Sequence, residues 1–287
     1  MISDRRPGDL APVWDLTPTV QVIAWVEIYM STFAAAAPYY ARFRPAYPDA
    51  VYTHIRKCFR LDGTQHLLDL GCGPGTLALP LAQYAAVVHA VDPEPAMVAE
   101  GLKLAEARSA VNIAWQVADA SRLLDLGLPE ITVCTMGRAF GWMDRSQVLA
   151  DLDRVITPEG GLALVSSVAP PEPPPWLKVI ETVGVDYLGP DYRTRYGPAA
   201  GPVGGLDDLL AGSAFSHVET AVFEQALEFT LEELVGLQFS FSYTSPDVLG
   251  DRQAAYEADL RSGLARFNPA GRFCETRQTL CTTATRR

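Results

Sequence analysis

The chain of 287 residues is 48% hydrophobic and 20% charged, which supplies enough apolar side chains for a sizeable core and excludes disordered and fibrous classes. Its 23 basic and 34 acidic residues give a formal net charge of −11, which disfavours nucleic acid and anionic membrane surfaces as partners. Five scattered cysteines indicate neither a disulfide framework nor a zinc site. With no signal-peptide pattern at the N-terminus, these features predict a cytoplasmic protein.

The first predicted elements are helices. An apolar helix is expected over about 19–36, and a second helix follows Pro48. Gln21 and Glu27 interrupt the first apolar stretch, so a buried or partner-facing helix is favoured over a membrane span. We therefore expect residues 1–38 to form an irregular segment and a covering helix, which is the candidate surface for a homodimer.

From His66 onward, short apolar runs alternate with helical patterns. The predicted strands are His66–Leu70, Val87–Val91, Val111–Val117, Ile131–Thr135, Gly161–Val165, Ser216–Phe223 and Thr279–Ala284. The predicted helices among them are Pro80–Tyr84, Pro95–Ala107, Ser146–Val155, one that starts at a capping box of Thr230 and Glu233, and one over about 251–267. This order predicts an α/β fold with a doubly wound sheet, in which the Pro-rich stretch of about 168–205 is an inserted lid.

The most informative segment is LDLGCGPGT at residues 68–76, which follows an apolar strand and precedes a helix. Glycines at such a turn permit positive φ and let a ligand approach the backbone closely. Asp92 ends the next strand, where a carboxylate can accept hydrogen bonds from two ribose hydroxyls. The spacing is G-x-G-x-G rather than the G-x-G-x-x-G of dinucleotide sites, and Asp69 suits an ammonium group better than a pyrophosphate. These residues favour a nucleoside cofactor with an amino-acid tail over a nicotinamide dinucleotide.

In this order, the motifs resemble those of the class I S-adenosylmethionine (SAM)-dependent methyltransferases, over roughly residues 39–166. The resemblance implies a Rossmann-like sheet of seven strands with an antiparallel last strand, within a domain spanning 39–287. It also implies a SAM site, with S-adenosylhomocysteine (SAH) as product. Matched to the family motifs, the cofactor-binding residues are Asp69, Gly71, Gly73 and Gly75 for the methionine part, Asp92 for the ribose, Met97, Asp119 and Ala120 for the adenine, and Tyr39, Arg44 and Met136 around them.

The acceptor side departs from the family pattern. Gly141 stands where the family often has a histidine, which disfavours histidine-assisted O-methylation, and the four histidines of the chain are interpreted as structural. Glu172, the carboxylate nearest the end of the fifth strand, is the candidate general base. The candidate substrate-binding residues are Arg138, which suits an anion, and the aromatic residues Phe140, Trp142, Trp176, Tyr187 and Phe239, which either pack in the core or line an apolar pocket.

The sequence thus predicts in-line transfer of the SAM methyl group to a small molecule of specialised metabolism, and leaves an O, N or C nucleophile open. One alternative is C-methylation of a prenyl diphosphate, with Glu172 as base and Arg138, Arg193 and Arg195, with Mg²⁺, on the diphosphate. Mg²⁺ is expected only for such a substrate, and no resident metal is predicted. An alternative of another class is a SAM-binding protein that does not methylate, such as a pericyclase.

Overall fold

The computed structural model describes residues 33–168, 172–195 and 205–287. In this part of the chain, the strands are β1 His66–Leu70, β2 Val87–Asp92, β3 Ile113–Val117, β4 Ile131–Gly137, β5 Ile156–Val168, β6 His217–Thr230 and β7 Arg272–Thr285. The α-helices are α1 Ala37–Phe43, α2 Asp49–Cys58, α3 Ala78–Leu81, α4 Pro95–Ala107, α5 Arg145–Val155, α6 Leu177–Leu188, α7 Tyr192–Arg195, α8 Leu206–Ala211, α9 Leu231–Gln238, α10 Pro246–Leu249 and α11 Gln253–Phe267. The helix predicted over 19–36 lies outside the described residues except for its last four positions. The predicted dimer surface also lies outside them.

The seven strands form one sheet in the order β3-β2-β1-β4-β5-β7-β6. Neighbouring strands from β1 to β5 pair in parallel, whereas β7 is antiparallel to both β5 and β6. This arrangement confirms the predicted α/β class, the seven-stranded sheet and the antiparallel last strand. The strand order reverses between β1 and β4, and in such sheets the crevice beyond the carboxyl ends of those strands binds ligands.

Helices cover both faces of the sheet because successive residues of a strand point to opposite sides. Leu67 of β1 packs in one buried cluster with residues of α2, including Ile55. Leu68, the next residue, packs in a second cluster with residues of α5, including Leu152. Strands that are buried on both faces have near-continuous apolar sequences, which is why β1, β2 and β4 could be predicted from sequence.

A third buried cluster lies apart from the two faces and joins the insertion to the closing helices. It includes Trp176, which precedes α6, Phe239, which follows α9, and Tyr256 of α11. The predicted capping box that starts α9 is present, because the Thr230 hydroxyl accepts from the Glu233 N–H at 3.2 Å and the Glu233 carboxylate accepts from the Thr230 N–H at 2.8 Å. The segment predicted as a lid is therefore packed against the C-terminal helices in its described part.

The last two strands are much longer than the sequence predicts. Beyond the end of β5, where Val168 pairs with Gln278, β6 and β7 pair only with each other and form a two-stranded ribbon. The ribbon segment 224–230, EQALEFT, mixes polar and apolar residues, so it lacks the apolar run on which the prediction depended. Phe267, the last residue of α11, is 47% exposed.

Candidate active site

The loop between β1 and α3 contains two glycines in the left-handed region with different surroundings. Gly71 has φ +69°, and a Cβ there would lie 2.4 Å from the Cβ of Ala139, so this glycine lets the loop pack against the segment that follows β4. Gly73 has φ +54°, and no atom lies within 4 Å of its Cβ position. Gly73 therefore borders open space that a ligand can fill, which is the property that a cofactor cradle needs.

Asp92, the last residue of β2, connects this loop to the sheet. Its carboxylate is buried and accepts from the Gly73 N–H at 2.8 Å and from the Glu94 N–H at 2.9 Å. Burial raises the pKa of Asp92 to about 6, although both hydrogen bonds oppose the shift. An ionised carboxylate has about four acceptor sites, so Asp92 can also accept from the hydroxyls of a ribose.

Asp69 fixes the other end of the loop. The carboxylate accepts from the N–H of Ala78, the first residue of α3, at 3.0 Å and from the Thr135 hydroxyl of β4 at 2.8 Å. Burial raises the pKa of Asp69 to about 7, and the nearby charge of Asp92 acts in the same direction. Such a buried carboxylate is stabilised in its charged form when an ammonium group binds beside it.

A small enclosed cavity of about 10 Å³ marks where these elements meet. Its walls come from the β1 loop, the end of β4 and α1, and they are Tyr40, Asp69, Gly71, Cys72, Thr76, Leu77 and Gly137. This volume holds about one water molecule, so a larger ligand requires the walls to move apart. The cavity lies at the switch point of the sheet.

The residues predicted for the adenine follow β2 and β3. Asp119 is half-buried, and its side chain accepts from the Ser121 N–H at 2.9 Å, which caps a short 3₁₀ helix that starts at Ala120. Met97 of α4 is buried near the start of that helix. Met136 of β4 is buried in the core cluster that packs against α5, rather than among the residues that line the cavity.

Sequence reasoning missed two polar residues on this side of the site. Gln116, in β3 opposite Val91 of β2, has a buried amide oxygen with no hydrogen-bond partner in the described part of the chain. Glu94 caps α4 by accepting from the Ala96 N–H at 3.0 Å. A polar residue just before the end of a strand, and an acid just before a helix, are the signals that mark these positions.

The structure brings Tyr40, and not the predicted Tyr39, to the cavity. The Tyr39 ring packs in the third cluster, with its centroid 5.1 Å from that of Phe239 and 6.3 Å from that of Phe43. Both tyrosines belong to α1, where adjacent residues point in different directions. The sequence motif does not show which of two consecutive aromatic residues faces the ligand.

Arg44 and Arg138 both contact the ring of Tyr40. Their Cζ atoms are 4.9 Å and 5.6 Å from the Tyr40 ring centroid. Arg44 donates from Nη2 to the Ser240 carbonyl at 3.1 Å, and burial, with the charge of Arg138, lowers the pKa of Arg44 to about 10. Arg138 directly follows β4, has φ +58°, and lies 5.0 Å from the Tyr47 ring centroid. Both arginines therefore contact Tyr40, which is one wall of the cavity.

Most of the predicted aromatic substrate residues are instead part of the cores. Phe140 is buried in the cluster that packs against α5, and Phe239 in the third cluster. Trp176 is also buried there and donates from Nε1 to the Cys274 carbonyl at 3.1 Å. Tyr187 donates to Asp259 at 2.7 Å in an outer groove of about 580 Å³ between α6 and α11. Trp142 packs edge-on against Phe33, with ring centroids 5.6 Å apart.

The remaining predicted charges lie at the surface. Glu172 is exposed, at the edge of the described insertion. Arg193 pairs with Glu181 at 3.1 Å and Arg195 with Asp191 at 2.6 Å, so both cations are already compensated. Residues 33–168, 172–195 and 205–287 contain no group of three or more His, Cys, Asp or Glu side chains arranged to hold a metal ion. Over the same residues, no helix is long and apolar enough to cross a bilayer.

Comparison with known proteins finds a methyltransferase domain within the chain. Residues 67–160, which include β1 to the start of β5, match the family model described as a methyltransferase domain. An uncharacterised methyltransferase of Schizosaccharomyces pombe is 25% identical over 74% of this chain and 78% of its own length. Together these matches support a class I SAM-dependent methyltransferase. The enzyme is therefore a methyltransferase.

Solved structures show the same methyltransferase fold. A proposed type II methyltransferase from Anaeromyxobacter dehalogenans aligns with a TM-score of 0.58 at 23% identity, covering 85% of this chain and 98% of that one. A SAM-dependent methyltransferase from Thiobacillus denitrificans, solved in complex with SAH, aligns with a TM-score of 0.50 at 13% identity, covering 88% of this chain and 98% of that one. At these identities, the comparison supports the fold alone.

Proposed function

We propose that this methyltransferase binds SAM in the cradle formed by Gly73 and Asp92 and transfers the methyl group to a small-molecule acceptor of specialised metabolism. The observation that carries the proposal is the open space beside Gly73, whose N–H is fixed by the Asp92 carboxylate at 2.8 Å. SAM supplies an activated sulfonium methyl group, so the protein's contribution is alignment and exclusion of water.

Each polar group of the cradle has a role that its geometry permits. Asp92 accepts from the ribose hydroxyls, and Asp69, which borders the cavity, compensates the ammonium group of the methionine part. The Asp119 carboxylate accepts one hydrogen bond from the Ser121 N–H and has further lone pairs. These accept from the adenine amino group. Tyr40 forms the wall toward the acceptor and excludes water once it closes over the ligand.

The acidic surface supports a small acceptor over a nucleic acid, because a net charge of −11 repels a phosphate backbone. The prenyl diphosphate alternative loses support, since Arg193 and Arg195 are paired with carboxylates at the surface and leave only Arg138 of the three predicted cations. Base catalysis by Glu172 stays a prediction, and its exposed position does not favour it, because a base must reach the acceptor proton.

Two measurements test the proposal. Isothermal titration calorimetry of the purified protein with SAH is expected to show a single site, and absence of binding would contradict the proposal. Incubation with methyl-labelled SAM and a panel of small acids, phenols and amines is then expected to yield SAH and a labelled product. Binding of SAH without transfer to any acceptor would support the alternative of a SAM-binding protein that does not methylate.

A further inference from the structure

The two arginines beside Tyr40 have no anionic partner in the described structure. Over residues 33–168, 172–195 and 205–287, no Asp or Glu oxygen lies within 4.0 Å of the guanidinium of Arg44 or Arg138. The surface arginines Arg193, Arg195 and Arg261 do have such partners. Buried charges are normally paired, so two unpaired guanidinium groups at a site indicate an anionic ligand.

The unsatisfied donors have the geometry of a carboxylate site. In Arg138, the atoms without a hydrogen-bond partner are Nε and Nη2, which form one edge of the planar guanidinium. That edge donates two parallel hydrogen bonds to a carboxylate or a phosphate. Arg44 Nε and Tyr47 Oη are also buried without a partner. A carboxylate has about four acceptor sites on its two oxygens, enough for the Arg138 edge and Tyr47 Oη.

The position of Arg138 places such a ligand beside the reacting end of the cofactor. Its N–H donates to the Val165 carbonyl at 2.8 Å, which holds the residue at the carboxyl ends of β4 and β5. The preceding residue, Gly137, lines the cavity with Gly71 and Tyr40. An acceptor held by Arg138 would therefore lie next to the methionine part of the cofactor.

The two arginines offer more cationic partners than the cofactor can use. SAM carries a single carboxylate, whereas Arg44 and Arg138 are two buried guanidinium groups with unpartnered donors. One guanidinium is therefore left for an anion on the second ligand. Burial lowers the pKa of Arg138, but the phenol groups of Tyr40 and Tyr47 outweigh it and raise the pKa above its ordinary value, so Arg138 stays charged.

We propose that the methyl acceptor carries a carboxylate, which the Nε and Nη2 edge of Arg138 binds bidentately with Tyr47 Oη as a further donor. The inference rests on the proposed function and narrows its substrate class. A diphosphate fits less well, because its greater charge needs more cations than this part of the structure supplies. Arg44, whose Nη2 is held by Ser240, remains for the carboxylate of the cofactor.

The test uses the whole chain saturated with SAH, so that the carboxylate of the cofactor is already in place. Hexanoate and trans-cinnamate are each titrated against their neutral primary amides. The acids are expected to bind at least about tenfold more tightly than the amides, because a bidentate charged pair contributes roughly 1.5–3 kcal/mol. Equal affinity of acids and amides in the wild-type protein would overturn the inference.

Variants test whether the preference for acids over amides depends on the Nε and Nη2 edge of Arg138. Arg138→Met is expected to abolish the acid preference and to leave SAH affinity unchanged within about threefold. Arg138→Lys, which keeps the charge but not the planar edge, is expected to lose most of the preference and serves if the Met variant does not fold. Arg56→Met is the matched control, because Arg56 also lies over a tyrosine ring, at 5.0 Å from Tyr84, but outside the site.

The outcomes separate the two proposals. An Arg138→Met variant that loses SAH affinity at least about tenfold and keeps the acid preference would assign Arg138 to the cofactor and overturn the inference. If the wild-type protein binds SAH but binds acids no more tightly than their amides, the carboxylate inference alone would be overturned. Absence of SAH binding in the wild-type protein would overturn the proposed function itself.

Discussion

The cofactor side and the acceptor side of the site differ in how their buried charges are satisfied. On the cofactor side, Asp69 and Asp92 each accept two hydrogen bonds from the protein. On the acceptor side, Arg138 and Tyr47 keep buried donors without a partner among the described residues. A site whose polar groups are already held in place can bind one invariant ligand, whereas the unsatisfied donors define what the second ligand must supply.

The two sides also differ in the sequence separation of their contacts. Asp92 and Gly73 are 19 residues apart, and Asp69 and Ala78 are 9 apart. The acceptor side depends on contacts such as that between Arg138 and the Tyr47 ring, which are 91 residues apart (138 − 47). A local motif can encode the first kind of contact but not the second.

The largest expected effect concerns the two glycines of the loop. Gly71→Ala should lower the free energy of unfolding by about 2–4 kcal/mol, because the added Cβ combines positive-φ strain with a clash against Ala139. Gly73→Ala should cost only about 1–2 kcal/mol and abolish SAH binding, because the methyl group fills the cradle. Chemical denaturation and calorimetry measure both effects.

Gly127→Ala is the control for these variants, since Gly127 has φ +63° with nothing within 4 Å of its Cβ position and lies outside the site. It should show the backbone cost without a loss of SAH binding. A Gly73→Ala protein that binds SAH as tightly as the Gly127→Ala protein would contradict the placement of the cofactor.

The second effect concerns Asp92. Asp92→Asn removes the charge and should weaken SAH binding by about 1–3 kcal/mol, or roughly 5- to 150-fold, because the ribose hydroxyls lose a charged acceptor. Calorimetry gives the affinity, and the melting temperature shows whether the loop held by Gly73 stays folded. Affinity within about twofold of the wild-type value in a folded variant would reject the ribose assignment.

The third effect is a dependence of SAH affinity on pH. The pKa values of Asp92, about 6, and Asp69, about 7, are raised by burial, and ligand binding favours the ionised forms. Affinity should therefore fall as the pH is lowered from about 8 to about 5, by up to about tenfold per unit for each group. Calorimetry across this range should show the upper step disappear in Asp69→Asn.

The stability of the free protein should change in the opposite direction. Both folded-state pKa values lie above the ordinary value of 3.8, so the folded state binds protons more tightly than the unfolded state. These two groups stabilise the fold most at low pH, and that contribution falls as the pH rises from about 4 to about 7. Equilibrium unfolding of wild-type and Asp69→Asn proteins measures it, and an identical pH dependence in both would contradict the buried state of Asp69.

The smallest expected effect is that of Glu172→Gln. The side chain is exposed, so activity should change by less than about twofold once an acceptor is known. Steady-state kinetics provides the test, with Glu181→Gln as a control from the same insertion. A fall in kcat of about 100-fold or more at unchanged SAH affinity would restore the sequence-based assignment of Glu172 as the base.

The fold and the cofactor motif could be predicted because their signals are local. The buried strands β1, β2 and β4 have apolar runs, and the glycine loop and Asp92 follow at fixed spacing. The sequence does not predict the ribbon of β6 and β7, because its mixture of polar and apolar residues is also typical of a surface segment.

The acceptor side could be predicted only in part, since it is built by packing. Phe140, Trp176 and Phe239 are aromatic residues of the cores, which composition does not distinguish from pocket residues. Arg138 was singled out from its place after β4. Sequence alone cannot show that a guanidinium is buried and unpaired, because that depends on where every carboxylate of the fold lies.

The central claim is that Asp92 binds the cofactor whereas Arg138 binds the acceptor. Its most direct test is a calorimetric titration of SAH into Arg138→Met and Asp92→Asn under one set of conditions. We expect Asp92→Asn to lose roughly 5- to 150-fold in affinity and Arg138→Met to stay within about threefold of the wild-type value. Equal losses in the two variants would contradict the account, because Arg138 would then belong to the cofactor side.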